Sequence, residues 1–236
     1  MRGVLAAALL ALAGTATAAP AQGQEPVTKQ EQEQAEPQAR AKAEKPDDLV
    51  DVQRYVPDLV LDLRYATANN FLGEAVYPPS ARCYLRRAVA ERLAKVASRL
   101  REEDGTRLRV FDCYRPLSVQ KKMWAIFPQP GYVASPKTGS VHNRGAAVDL
   151  TLAGPDGEAL EMPTDFDTFN EKAWHAYEGG SEVSRKNRNR LRDAMRAEGF
   201  RTIRKEWWHY ESPDRRAYPV LDLPFEKLSE GQGKAP

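Results

Sequence analysis

Leu59 to Tyr65 alternates large apolar residues with polar ones, the period-two pattern of a strand with one face buried. Leu85, Val89, Leu93, Val96 and Leu100 then recur at helical spacing, predicting an amphipathic helix that ends before Gly105. Leu108 to Phe111 reads as a short strand closed by Pro116, and Ser118 is placed to cap a helix running through Met123 and Trp124. Val148, Leu150 and Leu152 alternate with Ala147, Asp149 and Thr151, so Asp149 is expected on the polar side of a strand. Arg185 to Glu198 predicts a helix with Leu191 and Met195 inward and Gly199 just past its end. Phe200 to Tyr210, rich in aromatic and β-branched residues, predicts one more strand. Helices and strands interleave without a strict βαβ rhythm, which argues for an α+β fold.

The pattern breaks down at the N-terminus. Arg2 precedes a short apolar run, Val4 to Ala13, and Ala16-Thr17-Ala18 fits a small-x-small cleavage site. Residues 1–18 are therefore expected to be an export signal, the apolar run being too short to span a bilayer core of about 30 Å. Residues 19–47 are mostly Gln, Glu, Ala, Pro and Lys and bury too little apolar surface to offset their ordering entropy. They read as a disordered tether to a single domain over 48–228, followed by a flexible tail, 229–236. Export predicts a periplasmic or secreted protein with no stable membrane insertion once the signal is removed. In an oxidising compartment Cys83 and Cys113 are expected to pair; two buried free thiols are the alternative.

Composition excludes some partners. The 35 basic and 33 acidic residues of the 236 are well mixed, leaving a formal charge of +2, so no concentrated basic surface for nucleic acid is expected.

The chemistry concentrates around two of the three histidines. One lies in Ser140-Val141-His142-Asn143-Arg144-Gly145-Ala146-Ala147-Val148-Asp149, the other in Glu206-Trp207-Trp208-His209. A hydrolytic zinc site needs three protein ligands and an open position, and two imidazoles with one carboxylate suit it. Gly145 permits a tight turn that lets His142 and Asp149 serve one ion, and His209 would complete the set. Glu206 is the candidate base for activating water. It precedes His209 by three residues, which puts them on one face of a helix but on opposite faces of a flat strand, so a bend or a strand end is required. No H-E-x-x-H occurs, which excludes the helix-borne metalloprotease arrangement. Spacing alone leaves a packed core histidine and an Arg-paired carboxylate as open alternatives.

Ser-x-His-x-x-Gly-x-Ala-x-Asp, followed some way on by Glu-x-Trp-His, resembles the zinc D-alanyl-D-alanine dipeptidases. The resemblance extends to Asp62-Leu63-Arg64-Tyr65-Ala66-Thr67 with Asn70-Phe71, to Asp112-Cys113-Tyr114-Arg115-Pro116, to Gly131-Tyr132-Val133-Ala134 and to Phe166-Asp167. It implies one central, mostly antiparallel sheet flanked by helices, as in hedgehog-type and DD-peptidase domains. It also implies one Zn(2+) per chain on His142, Asp149 and His209, with Glu206 as general base and Arg115 stabilising the transition state. Asp167 and Tyr65 would bind the ammonium end of a small dipeptide substrate. Ser140 would fix the turn before His142 and touch substrate. Arg115 also has a purely structural reading, as a partner of Asp112. Trp207 and Trp208 are expected to wall the pocket and His175 to be no ligand. Tyr77 is left outside the site because its spacing is shifted, and Cys113 stands where the family often has Gly. The activity implied is hydrolysis of D-alanyl-D-alanine in cell-wall turnover. A D,D- or L,D-carboxypeptidase acting on stem peptides, or a non-catalytic zinc-stabilised binding domain, are the alternatives. The motifs carry no information on oligomeric state.

Overall fold

In the computed structural model the described residues are 49–231. The expected signal (1–18), the tether (19–47) and the last five residues of the tail lie outside them. The core is a five-stranded mixed sheet in the order β2-β4-β5-β7-β6. Its strands are β2 (Val60–Leu61), β4 (Arg107–Asp112), β5 (Ala147–Ala153), β6 (Arg201–Ile203) and β7 (Glu206–Glu211). Only the β2–β4 pairing is parallel. β1 (Leu49–Asp51) and β3 (Tyr84–Arg86) form a separate antiparallel pair.

The helices are α1 (Arg87–Asp104), α2 (Leu117–Ile126), α3 (Glu182–Ala197) and α4 (Phe225–Gly231). α1 buries Val89, Leu93, Val96 and Leu100, as the apolar spacing predicts, and ends on Gly105, whose φ of 79° closes the last turn through its N–H to Arg101. Leu85 falls outside the helix: Tyr84–Arg86 is extended because it pairs with Leu49–Asp51. α3 starts on Ser181, whose hydroxyl accepts from the Ser184 N–H at 2.9 Å. Ser118 does not cap α2. The helix begins at Leu117 after Pro116, and the Ser118 N–H is instead taken by Asp222 Oδ1 at 2.7 Å. Among the described residues no helix is long and apolar enough to cross a membrane.

β5 is buried along its whole length. Val148 faces Tyr210, and Asp149 faces His209, across the β5–β7 ladder; cross-strand partners share a face. Tyr210 lies near His175, which feels Arg188, Arg192 and Arg196 of α3, so the Val148 face looks toward that helix. Asp149 and His209 therefore project from the opposite face.

Two bulges shape that face. Val110 faces Leu150, yet Asp112 faces Asp149, so β4 carries one extra residue at Phe111. Thr202 faces Tyr210 while Ile203 already faces Glu206, leaving Trp207 to His209 unpaired on the β6 side. The segment Phe200–Tyr210 is thus a hairpin turning at Arg204–Lys205, not one strand. A disulfide joins Cys83, beside β3, to Cys113, just past β4, with Cα atoms 5.2 Å apart.

Candidate active site

The segment Ser140 to Gly145 is a tight turn built by its own polar groups. Ser140 Oγ accepts from the His142 N–H at 3.2 Å, and Asn143 Oδ1 accepts from the Ser140 N–H at 2.6 Å. Gly145 closes the turn at φ 64°, a conformation that favours glycine, and a Cβ there would press on the Leu49 side chain. Asn143 then donates to the Arg115 carbonyl at 2.8 Å, stapling the turn to the segment after β4.

This frame brings three donors together. His142 Nε2 lies 3.1 Å from His209 Nδ1 and 3.3 Å from Asp149 Oδ1, and His209 Nδ1 is 2.9 Å from Asp149 Oδ1. All three side chains are buried, and together they form a group able to hold a metal ion. A tetrahedron with bonds of about 2.0–2.1 Å has edges of about 3.3–3.4 Å. The observed triangle is slightly tighter and matches one face of that figure, so the donor set fits a divalent ion. Its electrostatics agree. Burial works against ionising Asp149, but His142 and His209 hold its carboxyl well below the usual range. Burial likewise opposes charge on His209, yet hydrogen bonds to Asp149 and Glu211 push it up to about 10.

The far side of each imidazole is also fixed. His142 Nδ1 donates to the Cys113 carbonyl at 2.7 Å, which leaves Nε2 as the donor atom. His209 Nε2 meets Glu211 Oε1 at 3.3 Å.

Glu206 opens β7 and lines the same cavity as His209. The unpaired residues between them answer the geometric difficulty of their spacing, since a bulge breaks strand alternation. Burial raises the Glu206 carboxyl to about 7; Asp149 and Glu211 add to the rise, and His209 and Arg115 oppose it. A base poised near neutrality is the useful kind.

Arg115 is buried above Asp112. Its Nε donates to Asp112 Oδ2 at 3.1 Å, its Nη1 to Gln120 Oε1 at 2.8 Å, and its guanidinium sits 5.1 Å over the Tyr65 ring. Asp112 also accepts from Tyr77 Oη at 2.7 Å and from the Cys113 N–H at 2.9 Å. Arg115 therefore does pair with Asp112 while still facing the cavity.

Tyr65 Oη donates to Asp167, 3.1 and 3.2 Å from its two oxygens. Asp167 has a φ of 57°, the left-handed region that aspartate tolerates better than most residues, and it is the one non-glycine with positive φ among the described residues. Burial raises its carboxyl well above the ordinary range, helped by Asp149 and Glu206 and opposed by Arg115 and Tyr65.

These groups surround one cavity of about 260 Å³, room for a small ligand. His142, Asp149, His209, Glu206, Arg115, Tyr65, Asp167 and Ser140 all line it. So do Gly131 to Ala134 and Trp208, whereas Trp207 is turned away, its indole N–H on Thr164. Tyr77 does not line the cavity; it meets the site through its hydrogen bond to Asp112 and through its ring, edge-on to Tyr65 with centroids 5.7 Å apart. His175 stands apart, its ring against Tyr210, with burial and three α3 arginines lowering it to about 4.

Residue spacing gave no role to three further contributors. Glu211 lies two residues past His209, the strand spacing that shares a face, so alternation could have found it. Gln120 could not be found that way. The aromatic wall of Phe71, Tyr132 and Phe169 is assembled from three distant loops, with Phe169 5.2 Å from Phe71 and 5.0 Å from Tyr132.

Comparison with known proteins identifies the family. A family model described as D-ala-D-ala dipeptidase matches residues 45–227. A D-alanyl-D-alanine dipeptidase of Escherichia coli (strain K12) is 39% identical over 175 residues, covering 74% of this chain and 89% of the relative. Relatives of the same name from Enterococcus faecium and Enterococcus faecalis (strain ATCC 700802 / V583) are 36% and 33% identical, over 70% and 67% of this chain and 92% and 87% of their own. With its buried imidazole–carboxylate triangle, the chain belongs to the D-ala-D-ala dipeptidase family of metallopeptidases.

Proposed function

We propose that this protein hydrolyses D-alanyl-D-alanine to two D-alanines, with one zinc ion on His142, Asp149 and His209. The observation that carries this reading is a small cavity with the imidazole–carboxylate triangle and the Tyr65–Asp167 pair on its wall. When bound, the ion supplies Lewis acidity to a carbonyl and to water.

The chain's own groups do the rest. Glu206 takes the proton of the attacking water and delivers it to the leaving amine as the C–N bond breaks. Arg115, its guanidinium fixed by Asp112 and Gln120, faces the oxyanion that develops on the scissile carbonyl. Asp167 receives the substrate ammonium. Burial raises its carboxyl well above the ordinary range, and an arriving ammonium supplies counter-charge that favours the carboxylate. Ser140 keeps His142 in place from the turn before it.

Phe71 packs edge-on against Tyr65 and Phe169 packs on Phe71, an aromatic wall that would limit extension of the peptide beyond its amino end. This favours a free dipeptide over a stem peptide. The N-terminal sequence pattern supports export, and the Cys83–Cys113 disulfide suits an oxidising envelope, where the enzyme would recover dipeptide during peptidoglycan turnover.

The test is release of D-alanine from D-alanyl-D-alanine and from a pentapeptide stem by the purified protein, with and without a chelator. Chelator-sensitive cleavage of the dipeptide with the stem left intact is expected. Faster cleavage of the stem would make the protein a carboxypeptidase, and zinc binding without either cleavage would make it a binding domain.

A further inference from the structure

We propose that Glu211, held by Arg215, is a positioning residue for the metal site, fixing His209 in the tautomer that leaves Nδ1 free for the ion. The inference rests on reading His142, Asp149 and His209 as the ligands.

A neutral imidazole carries one proton, and its neighbours decide which nitrogen holds it. His209 Nδ1 faces Asp149 Oδ1 at 2.9 Å and His142 Nε2 at 3.1 Å, while Nε2 faces Glu211 Oε1 at 3.3 Å. A carboxylate paired with Arg215 is an acceptor, so Glu211 draws the proton to Nε2 and turns the Nδ1 lone pair into the triangle.

Glu211 is itself hard to move. Its backbone lies between Ala147 of β5 and Arg201 of β6, at the paired end of β7. Its second oxygen is taken by Arg215 Nε, at the start of the turn Arg215–Ala217, whose N–H bonds the Ser212 carbonyl at 3.2 Å.

The two histidines thus present different nitrogens, each selected by an acceptor behind the ring. For His142 that acceptor is the Cys113 carbonyl, with Asp112 Oδ2 farther off, 3.5 Å from the same nitrogen. For His209 it is a charged carboxylate, which also makes the ring a stronger donor.

Zinc affinity measured by competition with a fluorescent chelator tests this on the full chain, with ¹⁵N-histidine spectra of the zinc-loaded protein as a readout of which nitrogen is metallated. Glu211→Ala is expected to weaken zinc binding about 10–100-fold and to disturb the His209 pattern. Glu211→Gln keeps an acceptor without its charge, so its affinity should fall between the two and its spectrum stay close to wild type. Unchanged affinity and spectrum in Glu211→Ala would overturn the proposal. If that variant does not fold, Glu211→Gln decides, and affinity equal to wild type overturns it. A wild-type protein that takes up no zinc would instead defeat the metal site, and this role with it.

Discussion

Replacing Arg115 by alanine separates what this residue does for the fold from what it does for the reaction. The substitution leaves Asp112 buried with Tyr77 Oη and the Cys113 N–H donating to Oδ1, and with His142 Nδ1 3.5 Å from Oδ2. Removing one partner of a buried ion pair costs about 3–5 kcal/mol, and the two surviving donors place this case near the low end, about 3 kcal/mol. For a domain of this size each kcal/mol shifts the melting point by about 2–4 °C, so a drop of about 6–12 °C is expected. Loss of a fixed donor at the oxyanion should also lower kcat by about 10²–10³. Gln120→Leu removes the neighbouring contact but leaves the Asp112 pair, and should cost about 1–2 kcal/mol. Circular-dichroism melting of the zinc-loaded variants, with D-alanine release as the activity assay, measures both effects. An Arg115→Ala protein melting within about 2 °C of wild type would refute the stability argument. Retained kcat would refute the oxyanion role.

Other consequences follow from the same geometry. Glu206 must be ionised to accept a proton, and its carboxyl is raised to about 7, so kcat/KM should climb with pH up to about 7 and level off above it; a flat profile from pH 5 to 8 would contradict this. Glu206→Gln should lower kcat about 10²–10⁴-fold while zinc content stays at one equivalent, and metal loss would show that the residue is structural. Phe169→Ala opens the aromatic wall and should allow slow cleavage of a pentapeptide stem; unchanged exclusion of the stem would place the length selection elsewhere. The Cys83–Cys113 link closes a separation of 30 residues, and Cys83→Ser with Cys113→Ser should cost about 3–4 kcal/mol in denaturant unfolding. A loss below about 1 kcal/mol would count against that loop-closure argument.

The imidazole–carboxylate triangle was legible because its parts sit in short motifs whose local geometry is dictated by residue type. Gly145 demands its turn, and the alternation of Val148, Asp149 and Leu150 separates the apolar from the polar face. The relation of Glu206 to His209 was not legible, since it depends on a bulge, and a bulge breaks the alternation from which faces are read. The hairpin over Phe200–Tyr210 was hidden for a related reason: Arg204–Lys205 carries none of the Asn-Gly or Asp-Gly chemistry that marks a two-residue turn. Leu85 continued a helical spacing by coincidence, and only the long-range pairing with Val50 makes it a strand residue. Likewise Ser118 looked like a cap until Asp222, distant in sequence, supplied the acceptor. Local signals survive wherever local sterics decide, and they fail where a partner far along the chain does.

Diffraction from crystals of the zinc-loaded protein, recorded at the zinc absorption edge, addresses the shared ion itself. A single strong anomalous peak about 2.0–2.2 Å from His142 Nε2, Asp149 Oδ1 and His209 Nδ1 is the expected result. A peak elsewhere, or none at that triangle, would contradict it.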